Sequence, residues 1–309
     1  MRLVTFPPWL LLAAGDGSLS RIRDSLVELE ATAKELFEAQ RLAEQLPVLD
    51  AALHRAEQRL RAERSSEGQE LYFMARILRG TIHQQSSGLD DQAVEEKNAY
   101  TLSNSRFWEE YYANVDADRF DWYSTWDTPI NWLSLGVSTL GSVIGPFLFA
   151  NASILMLGCG RSDMSQQMYR EGFRNITNVD ISSGLLERLR RGFEREMPLM
   201  SWRWMNASSM DTEDQSFDVV LEKGTLDSLQ DNSELFQAAV RESHRVLRSD
   251  GLFISVTDTE KLQQLQSIAP FSCEAFAGHL DSQRRLLLYV CRRRSGLLEH
   301  LRSWFKSEL

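Results

Sequence analysis

Leu155-Met156-Leu157-Gly158-Cys159-Gly160-Arg161-Ser162-Asp163-Met164-Ser165, followed by Asn178-Val179-Asp180-Ile181-Ser182, are the stretches whose reading decides the fold. The apolar run from Ser153 to Gly158 is a buried strand, and Asp163 to Glu171 carries helical spacing. Ile176 to Asp180 is a second strand, so the unit reads strand, helix, strand, which implies a right-handed crossover and parallel pairing. Glycines at 158 and 160 let the backbone turn sharply and approach a ligand, and the helix that follows adds a favourable partial charge. An acidic residue closing the second strand, Asp180, points into the crevice at the strand ends and can accept hydrogen bonds from both hydroxyls of a ribose. On these residues alone NAD and S-adenosylmethionine both remain candidates. The loop lacks the third glycine of GxGxxG and carries Asp163, which would repel a pyrophosphate. That favours a nucleoside cofactor without phosphates.

Outward from this unit, strands are expected at Trp202 to Asn206, Phe217 to Glu222, Leu252 to Thr257, Phe271 to Ala277 and Leu286 to Cys291. Helices are expected at Ser183 to Glu196 and Ser233 to Leu247, and upstream from Pro129 to Phe149. Strands that alternate with helices and end in two closely spaced strands describe a doubly wound, mostly parallel, seven-stranded α/β sheet of Rossmann-like form whose last pair is antiparallel. Before it, Ile22, Leu26, Leu29, Ala33, Leu36 and Ala43 make one amphipathic stripe between Leu19 and Leu46. Pro47 suits the first turn of a second helix carrying Leu49, Leu53, Ala56 and Leu60, and a third run covers Glu67 to Gln84. These short helices cannot cover their own apolar faces, so docking within the chain, on a partner or on a second copy is expected. The polar stretch Gln84 to Glu96 reads as a linker, which divides the chain into a helical segment, 1–96, and a catalytic domain, 97–309.

A formal charge of -10 makes the surface repel phosphate backbones, so nucleic acid is not the expected partner and a cationic one is. Arg292-Arg293-Arg294 is the one tight basic run, and it fits a solvated sheet end. Cys159, Cys273 and Cys291 are too few and too scattered for a disulfide framework or a zinc site, and the five histidines show no ligand spacing, so no metal is expected. The cysteine usage favours a reducing compartment, cytoplasmic before mitochondrial. No stretch reaches the ~18 apolar residues of a membrane span. The start, Leu3 to Ala14, is broken by Pro7 and Pro8 and reads as a short extended segment rather than a signal peptide.

The third strand ends at Asn206-Ala207 and the fourth at Glu222-Lys223-Gly224-Thr225-Leu226-Asp227. Asn206 can meet an adenine edge or close a turn. Glu222 can face the cationic end of the cofactor, or it can form a strand-capping ion pair with Lys223. LMLGCGRSDMS (155–165), NVDIS (178–182), FDVVLEKGTLDSL (217–229) and ESHRVLRSDGLFISVT (242–257) resemble the motifs of seven-strand methyltransferases. More narrowly, they resemble the eukaryotic protein-lysine methyltransferases that modify elongation factor 1A and citrate synthase. FWEEYY (107–112) and FDWY (120–123) are similar to the aromatic segment that covers the cofactor in that branch. The resemblance spans about Arg106 to Cys291 and none of the helical N-terminus.

The resemblance implies S-adenosylmethionine as cofactor, held by Trp122, Gly158, Cys159, Gly160, Asp180, Ile181, Asn206, Ala207 and Glu222. It implies Glu222, Lys223 and Tyr123 as catalytic residues and a protein lysine as acceptor. Trp108, Trp122 and Tyr123 are candidate walls of a desolvated channel that lowers the cost of neutralising a lysine amine, whose ordinary pKa is about 10.4. Two positions depart from the branch: Arg161 stands where it has asparagine, and Asn206 where it has aspartate. A guanidinium beside a sulfonium is repulsive unless it turns outward or pairs with Asp163 or Glu222. A small-molecule methyltransferase, or a cofactor-binding pseudoenzyme acting as an interaction module, are the competing expectations, and a homodimer through the N-terminal helices is a further one.

Overall fold

A computed structural model describes residues 19–38, 42–60, 68, 71, 72, 75, 78, 79, 82, 103–114, 121–230, 232–281 and 284–294. The expected N-terminal run Leu3 to Ala14 and the expected linker Gln84 to Glu96 lie outside the described residues. The chain divides into two compact units, Met1–Asp118 and Arg119–Leu309. The division thus falls at 118/119, where the sequence reading placed it at 96/97.

In the first unit, α1 (Leu19–Glu38) and α2 (Leu42–Leu60) bury the expected stripes, Ile22, Leu26, Leu29 and Ala33 on one and Leu49, Leu53, Ala56 and Leu60 on the other. Pro47 lies inside α2 and not in its first turn, because the helix begins earlier, at Leu42. Gly68, Leu71, Tyr72, Ala75, Leu78, Arg79 and Ile82 are helical. Arg79 reaches back to Asp50 at 2.6 Å and Glu57 at 3.2 Å on α2. α3 (Ser105–Asn114) buries Phe107, Trp108, Tyr111 and Tyr112, and Tyr72 stacks on Tyr111.

The second unit is built on nine strands among the described residues: β1 (Pro129–Trp132), β2 (Gly136–Thr139), β3 (Ile154–Leu157), β4 (Ile176–Asp180), β5 (Ser201–Trp204), β6 (Phe217–Lys223), β7 (Leu247–Thr257), β8 (Phe271–His279) and β9 (Arg285–Arg293). Their order is β2-β1-β8-β9-β7-β6-β3-β4-β5. β7, β6, β3, β4 and β5 are parallel, while β9, β8 and β1 pair antiparallel beyond β7. The seven expected strands are all present and the last two form the expected antiparallel pair, but the expected mostly parallel seven-stranded sheet is corrected to nine strands joined by four parallel and four antiparallel pairings, because a β1–β2 hairpin adds to the antiparallel end.

The two additional strands correct the helix expected over Pro129 to Phe149. In Pro129–Trp132 the burial alternates, with Ile130 and Trp132 inward, which is the period of a strand. Gly136, at φ 72°, turns the chain into β2. Helix α4 (Leu140–Ile144) begins only at the Thr139 cap, whose hydroxyl accepts from the Ser142 N–H, and a tighter turn containing Pro146 follows it.

Alternation along the central strands splits the core. Ile154, Met156, Val219, Leu221, Ile254 and Val256 face α4, α5 (Met164–Arg170) and α6 (Ser183–Phe193). Leu155, Leu157, Val220 and Phe253 face α7 (Ser233–Val246) and α8 (Leu262–Ile268). Helices therefore cover both faces, which the buried, almost purely apolar β3 requires. The winding reverses between β3 and β6, and at such a reversal an open α/β sheet leaves a crevice outside the carboxyl ends of its strands. Among the described residues no helix is long and apolar enough to cross a membrane.

Cys273 and Cys291 stand opposite each other on β8 and β9 and form a disulfide. Sequence spacing alone did not suggest this pairing; it arises because a hairpin folds two distant positions into register. Cys159 is free and buried.

Candidate active site

β3 delivers the chain into the crevice at Gly158, which has φ 63°, followed by Gly160 at φ 53°. A Cβ on Gly158 would strike the side chain of Thr225, whose hydroxyl donates to the Leu157 carbonyl at 2.8 Å. The glycine is thus needed twice over, for its dihedral and for the close approach of the turn after β6. The Cys159 N–H donates to the Val179 carbonyl at 2.9 Å, tying the loop to β4. Burial pushes the Cys159 thiol up, and the nearby Asp180 carboxylate pushes it the same way, so this cysteine stays a neutral packing group.

Asp180 ends β4 beside that loop. One carboxylate oxygen accepts from the Gly160 N–H at 2.9 Å and the other from the Ser182 N–H at 3.0 Å. Gly158, Gly160 and Asp180 therefore stand side by side at the carboxyl ends of β3 and β4. Ile181 follows, half-buried, and its carbonyl accepts from the Trp204 indole N–H at 2.8 Å. Asn206 is exposed, and its amide oxygen accepts from the Ser208 N–H at 2.9 Å and the Ser208 hydroxyl at 2.8 Å. Both acceptor positions of that oxygen are in use within a turn, so the amide N–H group is the more available face toward a ligand. Ala207 packs against the core beside it. Arg161 is half-buried in the loop.

At the end of β6, Glu222 is wholly buried. Its carboxylate accepts from the Leu226 N–H at 3.1 Å and bonds the Ser255 hydroxyl. Burial raises its pKa; Lys261 pulls against this, and Asp227 adds to it. Asp227 accepts from Thr257 at 2.7 Å and from Lys261 at 2.8 Å on one oxygen, and its second oxygen is buried with no hydrogen-bond partner. Lys261 is buried too, which leaves Glu222, Asp227 and Lys261 as a small charged cluster inside the fold.

Lys223 does not form the strand-capping pair with Glu222. Its ammonium donates to Asp121 at 2.9 Å and to the Trp122 carbonyl at 2.8 Å, with both side chains of the pair nearly inaccessible. The Ser162 hydroxyl bonds the same Asp121 oxygen from the glycine loop. Burial pushes the Lys223 ammonium down, against the pull of Asp121, Asp163 and Glu222.

Tyr123, at φ 65°, follows Trp122, and its hydroxyl donates to Asp258 at 3.3 Å. Burial raises its pKa beyond the ordinary phenol range, and Asp227, Asp258 and Glu222 push in the same direction. Trp122 and Tyr123 lie against Gly224, where an added Cβ would meet them at 3.4 and 3.5 Å. Trp108 belongs to the first unit, in an aromatic cluster with Phe107, Tyr111 and Tyr112.

Asp121, Ser162, Thr225, Asp227, Ser255, Lys261 and Trp204 were not assigned from the sequence. Asp121, Ser162, Thr225, Asp227 and Ser255 stand inside the family-like motifs, so a signal existed for them; Lys261 lies outside every motif, beyond the end of β7, and only the fold brings it to Asp227. Among the described residues no group of three histidine, cysteine, aspartate or glutamate side chains is placed to hold a metal.

The donor set suits a nucleoside with a positive centre. Asp180 offers acceptors where a ribose would lie, and Asp163 and Glu222 make the loop surroundings unfavourable for a pyrophosphate. Comparison with known proteins agrees with this chemistry. The chain is 26% identical over 185 residues to human eEF1A lysine and N-terminal methyltransferase, covering 58% of this chain and 25% of that protein. It is 31% identical over 166 residues to the Drosophila melanogaster homolog, covering 52% and 23%. It is 28% identical over 176 residues to mouse EEF1A lysine methyltransferase 4, covering 53% and 64%. The chain thus spans about a quarter of the length of the first two of these relatives. Residues 155–255, which hold the glycine loop, Asp180 and the turn after β6, match the family described as a methyltransferase domain.

Proposed function

We propose that this protein is an S-adenosylmethionine-dependent methyltransferase whose acceptor is a protein lysine amine. The observation that carries the cofactor assignment is the shared crevice, in which the Gly160 N–H meets Asp180 at 2.9 Å at the switch point of the sheet. The lysine assignment draws on the relatives, which are named as eEF1A lysine methyltransferases, and on the carboxylates gathered around Tyr123.

S-adenosylmethionine supplies, when bound, a methyl group already activated on a sulfonium sulfur, so the protein's task is alignment and not covalent catalysis. Asp180 would hold the ribose hydroxyls, and the positive-φ glycine loop gives the rest of the cofactor room against the backbone. Glu222, fixed by Leu226 and Ser255, and Asp227, fixed by Thr257 and Lys261, place negative potential at the ends of β6 and β7. That potential attracts an ammonium, while burial beside Trp122 and Tyr123 favours its neutral, nucleophilic form.

The test is transfer of label from radiolabelled S-adenosylmethionine to a lysate, followed by mass spectrometry of the labelled species. Label on a protein lysine supports the reading. Label confined to small metabolites makes the protein a small-molecule methyltransferase, and cofactor binding without any transfer makes it a pseudoenzyme.

A further inference from the structure

Tyr123 is a bulky residue in the left-handed region, a conformation that an L side chain of this size adopts only when its surroundings impose it. The Ser124 N–H donates to the Trp122 carbonyl at 2.8 Å, so residues 122–124 form a γ-turn of the uncommon positive-φ kind, with Tyr123 at its apex. What imposes the turn is visible in the same residues. The Trp122 carbonyl that closes it also accepts from Lys223 at 2.8 Å, and Asp121, one residue earlier, accepts from Lys223 at 2.9 Å and from Ser162. Gly224, next to Lys223, has φ 80° and leaves room for the two aromatic side chains against the end of β6.

A lysine ammonium so deeply buried is costly unless fully partnered. Two of its three donors are spent on this one turn and its leading carboxylate. An ammonium committed in this way is not placed to exchange protons with an acceptor. Its geometry instead locks the orientation of its neighbour: from the apex of the turn the Tyr123 hydroxyl reaches Asp258 at 3.3 Å, on the side of Asp227 and Glu222.

We propose that Lys223 is a positioning residue which, with Asp121, holds the Trp122–Ser124 turn in its left-handed form and so keeps the Tyr123 hydroxyl among the carboxylates at the ends of β6 and β7. This rests on the methyltransferase reading for its functional consequence, since those carboxylates mark the acceptor side. The structural half stands without that reading. Ser162 extends the tie to the glycine loop, so one buried ion pair connects the cofactor side of the crevice with the acceptor side.

The test uses the full chain with Lys223→Met, Asp121→Asn and Tyr123→Ala, together with the Lys223→Met/Tyr123→Ala double variant. Hydrogen exchange at the Ser124 amide should accelerate about tenfold or more in Lys223→Met and in Asp121→Asn. The rate of label transfer from radiolabelled S-adenosylmethionine to lysate protein should fall about twentyfold or more in each, with the shape of its pH profile unchanged. In the Tyr123→Ala background, Lys223→Met should remove less than about a further twofold, because the residue acts through Tyr123. Unchanged exchange at Ser124 overturns the proposal, and so does full additivity in the double variant. A pH profile that loses a limb in Lys223→Met also overturns it, by making Lys223 a proton-transfer group. Should Lys223→Met fail to fold, Asp121→Asn, which preserves side-chain shape, decides the same points. Should the wild type transfer no label at all, the methyltransferase reading falls while the exchange result still decides the tie.

Discussion

Asp180 does two jobs with one carboxylate. Its oxygens already accept the Gly160 and Ser182 N–H groups at 2.9 and 3.0 Å, so the side chain is held rigidly before any ligand arrives. Preorganisation of this kind spares the ordering cost on binding. Replacement of Asp180 by Ala should weaken S-adenosylhomocysteine by ~1 to 3 kcal/mol in calorimetry, the cost of a lost acceptor to a buried polar group. An unchanged affinity would remove Asp180 from the cofactor site. Arg161 calls for a different comparison, because only S-adenosylmethionine carries the sulfonium charge. Arg161→Asn should shift the ratio of S-adenosylmethionine to S-adenosylhomocysteine affinity about threefold in favour of the charged ligand, the size of a partly screened charge interaction. Equal effects on both ligands would show that Arg161 does not sense the sulfonium.

At the scale of elements, the disulfide across the expected β8–β9 hairpin is the most consequential departure from what the sequence predicts. Cys273 and Cys291 are directly opposed across it and bonded, with 18 residues of separation. Closing a loop of that size lowers the entropy of the unfolded chain by an amount worth about 3 kcal/mol in the chain-entropy picture. Reduction with dithiothreitol should therefore lower the unfolding midpoint in urea without changing the circular dichroism of the native state. A midpoint indifferent to reductant would mean that the bond does not form in solution. The β1–β2 hairpin illustrates a different difficulty. The sequence from Pro129 to Phe149 reads as one helix, yet β1 and β2 take the first part of that run and α4 only the Leu140–Ile144 portion. Short apolar stretches satisfy either period, and only the pairing of Asn131 and Trp132 with His279 and Gly278 on β8 decides between them.

For the whole molecule, the crevice at the reversal between β3 and β6 predicts a linkage between ligand and stability. S-adenosylhomocysteine at about a hundred times its dissociation constant should add ~2.7 kcal/mol, seen as a rise of roughly 5 to 10 °C in melting temperature. NAD at the same concentration should leave the melting temperature where it was. A shift with NAD and none with S-adenosylhomocysteine would reverse the choice of nucleoside.

What could be read from the chain alone was whatever depends on local order. The strand, glycine turn, helix and acidic strand end at 154–180 follow from periodicity and from the special dihedrals that glycine permits. Gly158, Gly160 and Asp180 consequently stand together at the ends of β3 and β4, as their places along the chain imply. What the tertiary structure alone decided are the contacts between groups distant in sequence. Lys223 pairs with Asp121 across 102 positions, Lys261 reaches Asp227 across 34, and two unpaired-looking cysteines join across a hairpin. The reason is physical: a buried charge takes the nearest partner in space, and neither residue type nor spacing states where the strands will bring that partner.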